Sequence, residues 1–312
     1  MAKKQSVFDQ KVISNFCKEN RVIVVDGGSR GELFNPFDRV SNEHMVVLRF
    51  EPDPHATIVK SSTEVIFNKG LWNEEATIQL HLANNPATSS VYPPNKELLE
   101  CFVDRIGYPP RATEKVIEIE GVDIDSAVKN AGLPLVDFIK LDIHGAEYEA
   151  VNGALESLGS SCIGLLIESW CIGVHNGQKL MCDVERVLTR YGFCKFDTTQ
   201  VMSWSRKQPK NLKSKNQIVG EENLYLLICN SKEEIIELGK KRAIMLASTA
   251  ELFGHRGYAL QLFSMMRDVD FITAGEYEEI RGYIISKNRI TIIDKILMVV
   301  IHKLKRIQVK RI

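Results

Sequence analysis

The sequence lacks the features that mark membrane-spanning, secreted and zinc-binding proteins. No two of its seven cysteines form a Cys-x-x-Cys pair, the spacing of many zinc sites, and we interpret them as reduced thiols, most of them buried. The opening Met1-Ala-Lys-Lys-Gln has no apolar signal-peptide stretch, and no run of about 18 apolar residues occurs. These absences predict a cytoplasmic protein that does not span a membrane.

Net charge is absent as well. Lys plus Arg and Asp plus Glu number 40 each, so the overall charge gives no reason to expect nucleic acid as a partner. The terminal segment 303–312 is nevertheless basic, and apolar residues recur at helical spacing over 290–312. This pattern predicts a C-terminal helix that packs on the preceding helices or lies peripherally on the inner face of a membrane.

The chain itself has the composition of a globular protein, with 312 residues of which 44% are hydrophobic and 26% charged. Short β-branched runs alternate with helical patterns, which is typical of a sheet covered by helices on both faces. We therefore predict an α/β fold with a Rossmann-like, doubly wound and mostly parallel seven-stranded sheet. The core strands are predicted at residues 22–25, 45–50, 64–67, 136–141, 163–167, 195–197 and 224–229.

An insertion and a helical C-terminal region complete the predicted architecture. Two added strands, at 77–82 and 116–119, are expected to border the functional site. Ser231 with Glu234 and Thr273 with Glu276 each fit a capping box in front of apolar residues at helical spacing. We predict an α/β domain over residues 1–230 and an all-helical C-terminal domain of unknown role over residues 231–312.

A strand followed by a glycine-rich turn opens the α/β region, in Val22-Ile-Val-Val-Asp-Gly-Gly-Ser-Arg-Gly. Glycines let the backbone approach a ligand closely, although Asp-Gly-Gly at a strand end is also common in plain tight turns. The next predicted strand ends at Glu51, 25 positions after Asp26, near the offset of about 20 at which nucleotide-binding folds place an acid on ribose hydroxyls. The candidate cofactor-binding residues are Asp26, Gly27, Gly28, Ser29, Gly31 and Glu51.

The charge of Asp26 bears on which cofactor binds. A dinucleotide site reads Gly-x-Gly-x-x-Gly because a pyrophosphate lies against the turn, and a carboxylate at the first position would repel phosphates. The same carboxylate would attract the ammonium and sulfonium groups of S-adenosylmethionine. We therefore expect S-adenosylmethionine rather than NAD, with an NAD-linked sugar oxidoreductase as the alternative.

A third segment joins a strand, a polar loop and a Gly-Ala helix start, in Asp137-Phe-Ile-Lys-Leu-Asp-Ile-His-Gly-Ala-Glu-Tyr-Glu-Ala. Together with the Asp26 turn, Phe50-Glu51-Pro52, Thr88-Ser89-Ser90 and Ile167-Glu168, it closely resembles the FkbM family of S-adenosylmethionine-dependent methyltransferases over about residues 20–230. The resemblance implies a class I methyltransferase domain over residues 1–230. It also implies transfer of a methyl group to a hydroxyl of a sugar, glycan or polyketide.

Two positions depart from the pattern of that family. Glu32 stands where a glycine is common after Gly31, and His144 stands where the family usually has an acid. A non-catalytic binding or assembly module that keeps the fold is therefore a further alternative to an enzyme.

The loop after the fourth core strand carries the candidate catalytic residues Asp142, His144 and Glu147. Open α/β sheets bind ligands at the carboxyl ends of their strands, and an imidazole with an ordinary pKa near ~6.5 suits a general base. We predict that His144 takes the proton of the acceptor hydroxyl and that Asp142 orients His144 or the acceptor. Two plainer readings stay open: His144 hydrogen-bonds within a tight loop, and Glu147, which matches the family motif, is favoured by the helix dipole.

Four residues are predicted to bind the acceptor, namely Ser89, Ser90, Glu168 and Trp204. Glu168 ends the fifth core strand beside the same cleft. Trp204 offers a flat face for a sugar ring within a basic segment, 202–220, that could guide an anionic or glycan-linked acceptor. A solvated loop is the alternative for that segment.

No metal is predicted. Asp142, His144, Glu168 and His175 could in principle hold a divalent cation, but their spacing in the sequence does not match a ligand motif. The sequence thus predicts an S-adenosylmethionine-dependent O-methyltransferase, without a metal, that acts on a hydroxyl of a sugar, glycan or related small-molecule metabolite.

Overall fold

The structure is a computed structural model and describes residues 6–58, 62–209 and 211–287. The helix predicted over 290–312, with its basic end, lies outside the described residues. Among the helices that the structure describes, none is long and apolar enough to cross a membrane.

The described residues form ten strands in two sheets, one of seven strands and one of three. The strands are β1 (Val22–Gly27), β2 (Met45–Phe50), β3 (Glu64–Phe67), β4 (Gly70–Leu71), β5 (Ala76–Ala83), β6 (Thr113–Val122), β7 (Phe138–Leu141), β8 (Gly164–Trp170), β9 (Phe193–Trp204) and β10 (Gln217–Leu227).

The helices include both capping boxes that the sequence predicts. The backbone N–H of Glu234 donates to the Ser231 hydroxyl, and that of Glu276 donates to the Thr273 hydroxyl, both over 3.2 Å. The α-helices are α1 (Lys11–Glu19), α2 (Lys96–Leu99), α3 (Tyr108–Arg111), α4 (Ile124–Asn130), α5 (Glu147–Asn152), α6 (Leu155–Ser160), α7 (Met181–Arg190), α8 (Lys232–Leu238), α9 (Lys240–Leu252), α10 (Arg256–Asp268) and α11 (Ala274–Lys287).

The seven-stranded sheet confirms the predicted fold class. Its order is β3-β2-β1-β7-β8-β10-β9, and the paired strands are parallel except where β10 runs antiparallel to β8 and β9. The strand order changes direction between β1 and β7. In an open α/β sheet the carboxyl ends of the strands border a crevice at such a point.

The two faces of this sheet bury alternate residues of the same strands, as the two-residue period of a strand requires. In β1, Ile23 and Val25 face a core formed with α4 to α7, whereas Val22 and Val24 face a core formed with α1 and the C-terminal helices. Both faces are therefore covered by helices, although the helices come from different parts of the chain.

The C-terminal helices α8 to α11 form one layer of the same core as the sheet. Between β1 and β2 the chain contains only a single 3-10 turn, Phe37–Arg39, so this connection supplies no α-helix to its face of the sheet. Buried residues of α9 and α10 fill that face. The domain boundary at residue 230 stays a prediction, but the helices behind it share a hydrophobic core with β1, β2, β7 and β10.

The lengths of two strands, the loop between them and the burial of the cysteines differ from the predictions. The last two strands of the sheet are longer than predicted, because β9 continues to Trp204 and β10 begins at Gln217; the predicted basic loop 202–220 is therefore reduced to residues 205–216. The prediction that most cysteines are buried is wrong, since Cys17, Cys162 and Cys229 are buried and the other four are not.

The predicted insertion strands are present as β5 and β6. They pair antiparallel, with β4 on the other side of β6, in the three-stranded sheet. Residues of this insertion, among them Leu71, Leu80 and Val91, line the cavity at the crevice of the larger sheet. The insertion therefore borders that cavity, as predicted.

Candidate active site

A cavity of about 490 Å³ lies at the carboxyl ends of β1, β2 and β7. Its volume falls in the range of small-molecule and cofactor sites. Seven of the predicted site residues line it, namely Asp26, Gly28, Ser29, Glu51, Ser89, Asp142 and His144. The topology thus brings the glycine-rich turn, the acid after β2 and the loop after β7 to one place.

The glycine-rich turn is packed tightly against the loop after β7. Gly28 has a φ of +76°, and a Cβ built on it would lie 1.9 Å from the backbone oxygen of Asp142. Its N–H donates to the backbone oxygen of Phe50 over 3.0 Å, which ties the turn to the end of β2. Gly31 also has a positive φ, of +72°, but a Cβ there would meet nothing within 4 Å. Of Gly28 and Gly31, therefore, only Gly28 is required by close packing.

Asp26, at the end of β1, is 1% exposed and surrounded by donors. Ser29 Oγ donates to its Oδ2 over 2.6 Å, Lys140 Nζ lies 3.5 Å from its Oδ1, and Arg49 Nε lies 3.6 Å from its Oδ2. Burial raises the pKa of Asp26, while Lys140, Ser29 and Arg49 act to lower it. Burial lowers the pKa of Lys140, but the carboxylates of Asp142 and Asp26 outweigh it, and the net shift is upward.

These pairings change the argument for the cofactor. Because Lys140 and Arg49 offset the charge of Asp26, this carboxylate alone does not decide between a sulfonium and a pyrophosphate. The charge of the whole cavity still favours a cation, since six carboxylates and three basic side chains line it. They are Asp26, Glu32, Glu51, Asp53, Asp142 and Glu222, and Arg30, Lys69 and Lys140.

Glu51, directly after β2, also lines the cavity and is held in a fixed position. Its Oε2 lies 3.2 Å from Arg30 Nε, and its Oε1 accepts the N–H of Asp53 over 2.9 Å. Arg30 also pairs with the Asp53 carboxylate. Burial raises the pKa of Glu51, while the hydrogen bond from Asp53 and the charge of Arg30 oppose that rise. A fixed carboxylate at the end of β2 suits the hydroxyls of a ribose.

The loop between β7 and α5 is fixed from both sides. The buried Glu147 accepts the N–H groups of Ile143 and Gly145 at 2.9 to 3.1 Å, and Ser90 Oγ donates to the backbone oxygen of His144 over 2.6 Å. Burial raises the pKa of Glu147 to about 8. Neither Glu147 nor Ser90 lines the cavity, so in this structure they position the loop.

His144 projects from this loop with a φ of +55° and lies between two carboxylates. Its Nε2 is 3.8 Å from Asp142 Oδ1, and its Nδ1 is 3.9 Å from Glu168 Oε1. Burial lowers the pKa of His144, with Arg111 and Lys140 acting in the same direction and Asp142 opposing them. The imidazole is therefore neutral near pH 7, and a ring nitrogen can accept a proton or a metal ion.

Glu168 completes this group from β8. Burial raises the pKa of its carboxyl, and the neighbouring carboxylates of Asp142, Glu147 and Glu222 raise it further. One potential ligand atom each from Asp142, His144 and Glu168 lies within 4.8 Å of the others. These three side chains are the group among the described residues that could hold a metal ion, whereas His175 bonds to Gln178 instead.

The structure places the other predicted acceptor residues differently. Ser89 lines the cavity and its hydroxyl accepts the N–H of Ala83 over 3.1 Å. Trp204 is 7% exposed and packs edge-on against Phe102 and Trp170, with the Arg111 guanidinium 4.3 Å from its ring centre. The prediction that Trp204 offers an open face to a sugar does not fit this placement, because its ring belongs to a packed cluster.

Sequence reasoning missed several charged residues of the site, among them Lys140, Glu222 and Arg111. Lys140 lies in the recognised segment, two positions before Asp142, and that spacing was an available signal. Glu222, on β10, and Arg111, at the end of α3, carry no local motif. Only the pairing of β10 with β8 and the folding of the insertion bring them near Glu168 and His144.

Comparison with known proteins gives one match. A family model described as a methyltransferase FkbM domain matches residues 25–193, more than half of the chain. No curated protein and no solved structure matches the chain. The matched region starts in β1 and ends where β9 begins, so it includes the glycine-rich turn, Glu51 and the loop of Asp142 and His144.

Proposed function

The chain belongs to the FkbM methyltransferase family, and from that membership and the site we propose that it is an S-adenosylmethionine-dependent O-methyltransferase. Its proposed acceptor is a hydroxyl of a sugar, a glycan or a related metabolite. The observation that carries this proposal is the continuity of one cavity from the glycine-rich turn and Glu51 to Asp142 and His144. A cofactor held at one end would have its reactive group beside the side chains at the other.

The residues at the first end fit S-adenosylmethionine. The excess of carboxylates over basic groups in the lining favours a positively charged ligand. The turn of Gly27, Gly28 and Ser29 lets backbone come close to the ligand, and Glu51 would accept hydrogen bonds from the ribose hydroxyls. When bound, this cofactor supplies a methyl group on a positively charged sulfur, which is electrophilic without further activation.

The residues at the second end have two tasks, which are to position the acceptor oxygen and to remove its proton. Asp142 and His144 line the cavity, and Glu168 lies directly behind His144. We place proton removal at this group, with His144 as the proton acceptor and Asp142 orienting it. Glu147 and Ser90 contribute by holding the loop, not by touching the acceptor.

Ligand-induced thermal shifts test the cofactor. We expect S-adenosylhomocysteine, the demethylated cofactor, to raise the melting temperature, because a ligand that binds only the folded state stabilises it, and NAD to leave it unchanged. Glu51→Gln should weaken this binding about tenfold, since a hydrogen bond to a charged group contributes roughly 1.5 kcal/mol. The control Glu114→Gln, on an exposed position of β6, should bind as the unaltered chain does. Stabilisation by NAD alone would favour the oxidoreductase and refute the proposal.

Turnover is tested with pools of sugars, glycans and small metabolites. Release of S-adenosylhomocysteine, together with a product heavier by one methylene, is the expected result. His144→Ala should slow turnover at least 100-fold, as loss of a general base does, while cofactor affinity stays within twofold. If no pool supports release and the cofactor still binds, the protein is a binding module on the same fold.

A further inference from the structure

We propose that Asp142, His144 and Glu168 bind a divalent metal ion, and that this ion receives the acceptor hydroxyl. One ligand atom from each residue lies within 4.8 Å of the others. Asp142 and His144 follow β7, and Glu168 lies on β8, so two neighbouring parallel strands bring the three side chains to the same edge of the sheet. Glu168 is 26 positions after Asp142 in the sequence, so the three residues do not form a local metal-ligand motif.

The distances between these atoms fit a shared cation better than direct bonds. One ligand atom from each residue lies within 4.8 Å of the others, and an imidazole offers only one of its nitrogens to an ion. His144 Nδ1 lies 3.9 Å from Glu168 Oε1, and the other nitrogen, Nε2, lies 3.8 Å from Asp142 Oδ1. Both exceed the length of a hydrogen bond, about 2.7 to 3.2 Å. Ligands about 2.1 Å from one metal ion are roughly 3 Å apart when adjacent and about 4.2 Å apart when opposite. Small side-chain shifts would therefore complete the coordination.

The imidazole of His144 provides a second, independent observation. Its Nδ1 is buried and has no hydrogen-bond partner among the described residues, although a buried polar atom without a partner is costly. The other ring nitrogen, Nε2, lies 3.8 Å from Asp142 Oδ1. Histidines that ligate metals do so through one ring nitrogen, and the other nitrogen usually faces a carboxylate, a backbone carbonyl or water. The unpartnered nitrogen faces Glu168, as a ligand would.

Two basic side chains lie near the group, and each is held by other partners. Lys140 Nζ lies 3.6 Å from Asp142 Oδ2 and 3.5 Å from Asp26 Oδ1, so Asp142 Oδ1 is left to face His144. The Arg111 guanidinium stacks on Trp204. The two carboxylates of Asp142 and Glu168 would match the charge of a divalent ion.

The ligand set indicates both the kind of metal and its role. One imidazole with two carboxylates suits a first-row ion such as Mn²⁺, and three protein ligands leave coordination positions for an oxygen of the acceptor. This role rests on the proposed function. A hydroxyl bound to the ion loses its proton to solvent more readily, and with the metal bound His144 is a ligand and not itself the proton acceptor.

Binding of Mn²⁺ to the full chain, after treatment with a chelator, tests the site without cofactor or acceptor. Electron paramagnetic resonance of free Mn²⁺ should show one site per chain, and Mn²⁺ should raise the melting temperature. Glu168→Gln and Asp142→Asn keep the size of each side chain, and each should weaken binding at least tenfold. Glu149→Gln is the matched control, because Glu149 is a half-buried acid of the following helix whose Oε1 accepts from Tyr92. Its binding should stay within twofold.

The outcomes separate this inference from the proposed function. Absence of Mn²⁺ binding, or equal binding by the Glu168 and Asp142 variants, overturns the metal site, even if S-adenosylhomocysteine is released with an acceptor. In that case His144 keeps its role as proton acceptor. Mn²⁺ binding that the two variants abolish supports the site, even if no cofactor binds and the proposed function fails. Melting curves of each variant show whether a loss of binding reflects a loss of folding.

Discussion

Gly28 and Lys140 set the shape and the charge of the cavity at the scale of single residues. Gly28 brings the turn after β1 against the backbone of Asp142, so the glycine-rich turn and the loop after β7 are in direct contact in the wall of the cavity. Lys140 lies between Asp26 and Asp142 and neutralises part of the charge at both ends. Gly28 therefore affects the cavity through the backbone, and Lys140 affects it through charge.

Replacing Gly28 by alanine should damage the protein more than the same change at Gly31. Both residues have a positive φ, which costs an alanine about 1 to 2 kcal/mol. At Gly28 the new Cβ would also overlap the Asp142 backbone oxygen, whereas at Gly31 it meets open space. We expect Gly28→Ala to lower the melting temperature further and to weaken S-adenosylhomocysteine binding at least tenfold. Equal effects of the two variants, measured by melting and calorimetry, would contradict this packing argument.

Replacing Lys140 by methionine should destabilise the fold. The change leaves Asp26 buried with only Arg49 and Ser29, and breaking a buried ion pair costs about 3 to 5 kcal/mol. We expect the lower end of that range because Asp26 keeps two partners. Urea unfolding of Lys140→Met, Asp26→Asn and the double variant measures the coupling between the two side chains. A double variant no more stable than Lys140→Met would show that the lost pair with Asp26 is not the cause.

At the scale of elements, α9 is tied to the sheet by charge as well as by packing. Lys241 Nζ lies 3.3 Å from Asp137 Oδ1, at the residue before β7, and Asp137 is 1% exposed. The other oxygen of Asp137 accepts the N–H of Ile23 over 2.8 Å. Asp137 therefore connects α9 to β1, which contains Asp26, and to β7, which Asp142 follows directly.

Lys241→Met should therefore reduce stability even though Lys241 is not a site residue. We expect a loss of about 1 to 2 kcal/mol in the free energy of unfolding, less than for a fully buried pair because Lys241 is partly in water. Lys240→Met is the control, since Lys240 is exposed and precedes Lys241 in the same turn. If both variants unfold at the same urea concentration, the ion pair does not contribute.

At the scale of the whole molecule, the C-terminal helices cover a face of the sheet to which the connection between β1 and β2 contributes no α-helix. Their buried side chains, including Leu246, Phe263 and Met266, share one hydrophobic core with Val22 and Val24 of β1. Burial of such side chains stabilises a fold by roughly 1.5 to 3 kcal/mol each. We therefore expect the sheet that carries the candidate site to depend on these helices for its stability.

A chain ending at residue 230 should fail to fold cooperatively. Removal of α8 to α11 would expose much of one face of the central strands to water. Among the described residues, the other helices that contribute to this core are α1 and the short 3-10 helices Val7–Asp9 and Phe37–Arg39. We expect loss of the near-ultraviolet circular dichroism signal and strong binding of a hydrophobic dye, compared with the full chain. A sharp melting transition of the shortened chain, with bound S-adenosylhomocysteine, would show instead that the boundary at residue 230 separates two independent units.

Much of the fold and part of the candidate site could be predicted because their signals are local. Apolar runs located all seven core strands, and the motif segments located Asp26, Glu51, Asp142 and His144, four residues that line one cavity. Trp204 could not be placed in this way, because its burial depends on Phe102, Trp170 and Arg111, which lie far from it in the sequence. The ends of β9 and β10 were missed since their alternating pattern is broken by the irregular register of the hairpin.

The sequence by itself determined the fold class, the family and the turns at which the cavity forms, because periodicity, glycine and capping residues act over a few neighbouring positions. The tertiary structure alone decided that Lys140 and Arg49 neutralise Asp26, that Glu168 meets His144 and Asp142, and that the C-terminal helices complete the core. Charge pairing and burial depend on distances through space, and residues far apart in the chain set those distances only once the strands have found their order.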